Sequence, residues 1–163
     1  MKGLWAGLAL LMSISSAQAC ALINLFDPSY SIKADFALVG TITKYQLIPQ
    51  ETVRGTHSYP LFWVTPKRSI KGELPEPFWA VWSIPTNQPT PSTHIEGPFL
   101  MAFKEKGRLL NNSDVKAHLP KTMGSNLFEL FQQSCSEASI FSPHSPKAQA
   151  IIEVLGKQAE AEQ

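Results

Sequence analysis

The chain has 163 residues, with 14 basic and 13 acidic side chains and two cysteines. That length holds one domain with a proper core, and the even charge balance argues against nucleic acid or an anionic membrane surface as the main partner. It shows no internal repeat, no second long apolar run and no low-complexity tract.

Residues 1–19 read as a secretory signal peptide. Lys2 supplies the positive charge, the stretch from Leu4 to Met12 is apolar, and Ala17-Gln18-Ala19 offers the small-x-small cleavage pattern. The apolar run is shorter than the ~20 residues a bilayer span needs. Two processings are open at the junction. Ordinary cleavage leaves a mature chain of 144 residues beginning at Cys20. A lipoprotein route would acylate Cys20, although Ala17 stands where the usual lipobox has Leu. Cysteine parity favours the first route. Only Cys20 and Cys135 exist, and an exported chain with an even count pairs them. Such a bond closes a loop of about 100 residues and contributes about 4–5 kcal/mol in the loop-entropy estimate.

The apolar segment from Ala21 to Phe26 is expected to pack on the body of the domain, and Asp27-Pro28-Ser29 forms a turn. Residues 36–45 are the clearest strand. Phe36, Leu38, Gly40 and Ile42 share one face, and apolar Ala37 and Val39 suggest that the first half is covered on both sides. Gly40 inside the run marks a bulge or bend. Residues 49–58 read as a loop centred on Gly55, and residues 59–70 as a second strand, bent or at an edge because of Pro66. After the turn 71–77, residues 78–84 form a third strand, with Phe78, Ala80, Trp82 and Ile84 on one face and Trp79 and Val81 on the other. Residues 85–98 form a long Pro/Thr/Ser loop. Residues 99–103 are a fourth strand and residues 108–110 a short fifth.

Two helices are expected to close the domain. The first runs from Ser125 to about Gln133, with Leu127, Phe128, Leu130 and Phe131 facing inward. The second is capped by Ser145, has Pro146 in its first turn, buries Ala148, Ile151, Ile152 and Leu155, and stops at Gly156. The polar tail 157–163 lies beyond the domain of residues 20–156. Strands followed by helices give a mainly β fold with C-terminal helices, arranged as a small antiparallel barrel or sandwich.

No nucleophile, base and orienting acid are recognisable in the sequence, and nothing like Gly-x-Ser-x-Gly occurs. His57, His94, His118 and His144 lack metal-ligand spacing, so neither a metal nor a cofactor is expected. The strongest binding candidates are aromatic. Trp63 and Trp79 point away from Phe62 and Phe78, because neighbours on a strand alternate. One of these faces is core, and the other is either a partner surface or the bed of the helices. Lys67, Arg68 and Lys71 form a small basic patch.

A spaced set of residues resembles the netrin-type module, the family of the tissue inhibitors of metalloproteinases. Cys20 opens the mature chain, Ala34-Asp35 precedes the first strand, and Gly40-Thr41-Ile42 lies within it. Lys71-Gly72 separates the second and third strands, Gly97-x-Phe99-Leu100-x-Ala102-Phe103 forms the fourth, and Cys135 follows. The resemblance implies a five-stranded antiparallel OB-like barrel with packed helices. In the inhibitors the first Cys chelates the zinc of a target protease through its amine and carbonyl, a role that only Cys20, followed by Ala21, could inherit. The chain departs from that family in reading Cys20-Ala21-Leu22 instead of Cys-x-Cys and in having one cysteine pair. The reading is an exported, non-catalytic binding protein of the periplasm or cell envelope whose partner is another envelope or secreted protein, a metalloprotease by analogy only. It touches the membrane only if Cys20 is lipidated.

Overall fold

The computed structural model describes residues 26–52, 55–82, 97–105, 107, 110, 126–132 and 140–161; for residues 50–52 and 55–57 it describes the backbone alone. Expectations for the signal peptide, for Cys20, Ala21 and Cys135, for His94 and His118, and for the 85–96 loop lie outside these residues.

Among the described residues, six strands carry the fold. Strands β1 (Phe36–Thr52) and β2 (Gly55–Lys71) form a long antiparallel hairpin. Strand β3 (Phe78–Val81) pairs with β2, and β4 (Pro98–Lys104) pairs with the first half of β1. Strand β5 (Leu127–Leu130) bridges β3 and β4 and closes a ring in the order β1-β2-β3-β5-β4-β1. Strand β6 (Ile140–Phe141) continues along the edge of β4.

The alternation of apolar residues becomes an inside and an outside. Phe36, Leu38, Phe62, Phe78, Met101 and Phe103 point into the ring and are nearly inaccessible to solvent. Phe36 stacks on Phe103 with centroids 5.2 Å apart, and Phe78 meets Phe103 edge-on at 5.0 Å. Such pairs add about 0.5–1.5 kcal/mol beyond the area they bury. Ala37, Val39, Leu100 and Ala102 point outward yet are also buried, because a helix lies over them. The first half of β1 is thus covered on both faces, as its composition suggests.

That covering helix, α1 (Pro146–Ala161), sets Ala148, Ile151 and Leu155 against the outer wall. Its start follows the expected signals: the Ser145 hydroxyl accepts a hydrogen bond from the Ala148 amide at 3.2 Å, and Pro146 opens the first turn. A 3-10 helix (Pro28–Lys33), capped by the Asp27 carboxylate accepting from the Ser29 amide at 2.9 Å, packs beside α1.

Four local expectations are corrected, and a fifth falls mostly outside the described residues. Residues 127–130 are strand and not helix, since apolar positions at i, i+1, i+3 and i+4 fit either form and the gap between β3 and β4 selects the strand. β5 runs parallel to β3, so the ring is not wholly antiparallel. Of the short strand expected at 108–110, Leu110 lies in a turn, and residues 108 and 109 lie outside the described residues. The 49–58 loop is instead the end of the hairpin, paired from Pro49↔Ser58 to Thr52↔Gly55. Helix α1 does not stop at Gly156 but continues to Ala161, where an i,i+4 ion pair between Lys157 and Glu153 at 2.6 Å supports the last turns.

Candidate functional site

The register of the hairpin decides what the outer wall displays. Pairing passes from Ile42↔Val64 to Lys44↔Trp63, which leaves Thr43 as an extra residue and puts Lys44 on the outer face. Trp63 then faces Trp79 across β3, and Trp79 faces Leu127 across β5. Lys44, Trp63 and Trp79 therefore form one row across three strands. The indole rings of Trp63 and Trp79 sit edge to face, with centroids 5.3 Å apart and planes at 71°. The Lys44 ammonium lies 5.5 Å from the Trp63 ring and 6.0 Å from the Trp79 ring. Both indoles are half-buried and Lys44 is exposed. Phe62 and Phe78, their neighbours in the chain, are inside the ring. The tryptophan pair thus lies outside the ring and is not the bed for α1, and Trp79 also packs against the outer cluster of Leu61, Val81 and Leu110.

The next outer row is covered. Leu61 and Val81 are buried under Leu110, and Glu129, itself buried, accepts from the Leu110 amide at 3.4 Å. Gly107 lies against the Glu129 side chain so closely that a Cβ there would collide with it. Gly107 and Leu110 thus lie on the outer wall beside Glu129.

A third cluster ties the start of β1 to the end of β2 and to β4. The Lys71 ammonium donates to the carbonyl oxygens of Ile32 and Ala34 at 2.6 and 2.7 Å. The Asp35 carboxylate accepts from the Lys104 ammonium at 2.7 Å and from the Glu105 amide at 2.8 Å. Partial burial pushes the Asp35 carboxyl up, but these hydrogen bonds and the charges of Lys104 and Lys71 outweigh it and hold it below its ordinary value. Lys71 is therefore occupied, and only Lys67 and Arg68 of the basic patch are exposed. His144 is exposed, and His57 sits in β2 with its side chain outside the description. Among the described residues, no three His, Cys, Asp or Glu side chains come together as a metal site.

Phe26 meets Phe141 edge-on at 5.7 Å, with the Lys147 ammonium 5.5 Å from its ring, and Tyr30 stacks on Phe131 at 5.3 Å. Of the sequence candidates, then, the structure brings Trp63 and Trp79 together. Lys44 was missed, since nothing in its local sequence tells which face it occupies. No family model, curated protein or solved structure matches this chain.

Proposed function

We propose that the chain is an exported, non-catalytic binding protein of the cell envelope, built as an OB-like barrel, that engages another protein through its mature N-terminus. Three features support the barrel: five strands joined in a ring, a connection that returns β4 to the side of β1, and helices packed outside. The observation that carries the functional reading is the paired anchoring of Phe26 on Phe141 and Tyr30 on Phe131. It holds the incoming chain against the two residues that flank the Cys135 segment. Cys20 is six residues before Phe26, a reach of at most about 20 Å, and Cys135 is four residues after Phe131, at most about 14 Å. A Cys20–Cys135 bond is compatible with that frame, and it would fix the first residues of the mature chain at one end of the barrel, as an inhibitor-like contact requires.

Two measurements test this. Intact mass of the exported protein should show a chain starting at Cys20 and two protons lighter before reduction than after. A product heavier by a diacylglycerol and an acyl chain would replace the reading with that of an anchored lipoprotein, whose blocked amine cannot chelate a metal. Deletion of residues 20–25, which leaves Phe26 in place, should abolish capture of the envelope partner while the thermal transition persists. Partner capture that survives this deletion refutes the N-terminal contact.

A further inference from the structure

The outer wall has two covered patches, one under α1 and one under Leu110, with a strip between them that no described residue covers. Thr41 and Thr65 face each other on this strip, followed by Lys44, Trp63 and Trp79, and Arg68 stands further along β2 opposite Val39. All of these positions are on strands, so the aromatic and cationic groups are held by the sheet.

The chemistry of the strip is of one kind. Two half-buried indoles packed edge to face leave part of their apolar surface on the strip, the kind of surface on which the C–H face of a sugar ring packs. One ammonium sits within 6.0 Å of both ring centroids. Lys67 and Arg68 are exposed, about 15 Å from Trp63 at the strand rise of about 3.3 Å per residue. The neighbouring carboxylates do not cancel these charges. Asp35 is engaged by Lys104, Glu129 is buried beside Gly107 and Leu110, and Glu73 and Glu76 lie in the turn beyond Lys71. The strip is therefore aromatic and cationic on a chain that is close to neutral as a whole.

We infer that this strip binds an anionic polysaccharide, with Trp63 and Trp79 stacking against sugar rings and Lys44 and Arg68 pairing with carboxylates spaced along the chain. Charge complementarity selects an anionic ligand, and the paired indoles select one made of rings with an apolar face. Single-stranded nucleic acid fits less well, because it carries a charge at every nucleotide and is bound along basic grooves that this near-neutral chain lacks. The inference is independent of the N-terminal contact: the two sites are formed by different residues, and either can fail alone.

The test titrates the full-length mature protein with tetragalacturonate, its neutral galactose counterpart and an eight-nucleotide oligo(dT), following indole fluorescence and heat. Saturable binding of tetragalacturonate with a change in indole emission, weakened by added salt, is the expected result. Lys44→Gln, an exposed change that leaves the core untouched, should weaken binding about ten- to a hundredfold, the loss expected for one hydrogen bond to a charged group. Trp63→Leu should abolish it, with circular dichroism confirming the fold. Equal affinity for the neutral sugar, preference for oligo(dT), no saturable binding of tetragalacturonate, or an unchanged affinity in Lys44→Gln would each overturn the inference.

Discussion

Gly40→Ala is the sharpest probe of how the ring is closed. At this residue the hairpin slips: Val39 faces Arg68 and Gly40 faces Pro66, so Lys67 is the extra residue of a bulge. Pro66 has no amide hydrogen to give the ladder, and a bulge is where a strand tolerates that loss. The slip brings the backbones close. A Cβ on Gly40 would lie 2.8 Å from the Thr65 carbonyl oxygen, 3.0 Å from the Leu38 Cδ1 and 3.3 Å from the Pro66 Cα. The Leu38 methyl can turn aside, but the Thr65 carbonyl belongs to a strand held by β1 on one side and, from the residue before it, by β3 on the other.

Overpacking of this kind costs about 1–3 kcal/mol. A Cβ 2.8 Å from a backbone oxygen puts the cost in the upper half of that range, and alanine recovers about 0.5–1 kcal/mol of backbone entropy, so the net loss is about 1–2 kcal/mol. For a domain of this size that lowers Tm by about 3–7 °C. Gly156→Ala is the matched control. Its Cβ meets nothing within 4 Å, it lies within α1, and it should gain up to about 1 kcal/mol. Thermal melts followed by circular dichroism, with urea melts to check that the m-value is unchanged, measure both. A Gly40→Ala protein as stable as the parent, alongside a stabilised Gly156→Ala protein, would refute the close approach.

The Asp35 carboxyl titrates below its ordinary value near 3.8, so its contribution is complete above that pH and is lost as the pH falls through the folded value. Asp35→Asn should therefore lower urea stability at pH 7 by less than about 1 kcal/mol, as suits a partly exposed pair, and the difference should close as the pH falls through the folded value. Phe78→Ala empties the centre of the aromatic cluster and should cost about 3–5 kcal/mol, a large part of the stability of a typical domain, read as a urea midpoint far below the parent's.

The inward and outward alternation of β1, β3 and β4 is legible in the sequence because burial acts on single residues. Phe36 and Leu38 separate from Ala37 and Val39, and Phe78 and Ala80 from Trp79 and Val81, by the pleat alone. Pairing is not local, and there the reading fails. Leu127, Phe128, Leu130 and Phe131 carry a spacing common to a helix and a strand, and only β3 and β4 decide between them. Pro49 and Gly55 resemble loop residues, yet the hairpin continues past them. Among the described residues, β1 has no neighbour beyond Thr41 on its other side, so Pro49 costs no ladder bond there. Lys44 was invisible for a related reason. Its face depends on the extra residue at Thr43, and a slip of one position would turn it inward.

The described residues behind the netrin-type resemblance collect at one corner of the ring. Ala34 gives its carbonyl to Lys71, Asp35 ties Lys104 and the Glu105 amide, and Gly72 turns with φ at 74° against the Phe36 Cβ. Gly40 makes room for β2, and Leu100 and Ala102 lie under α1. These residues have packing reasons, so this part of the spaced pattern carries information about how the chain packs here and little about what it binds. Binding is expected to depend on other residues, Lys44, Trp63 and Trp79 on the strip and Cys20 and Ala21 at the mature N-terminus. The two sets should separate in a double comparison. Lys71→Met removes the donor to two carbonyls, one exposed and one part-buried, and should cost about 0.5–1.5 kcal/mol of stability, with tetragalacturonate affinity unchanged below the transition. Lys44→Gln should do the reverse, keeping Tm within about 2 °C of the parent, as suits a surface change of at most about 0.5 kcal/mol, while weakening the ligand. A Lys71→Met protein that loses affinity while remaining folded would join the corner to the binding surface and undo the separation.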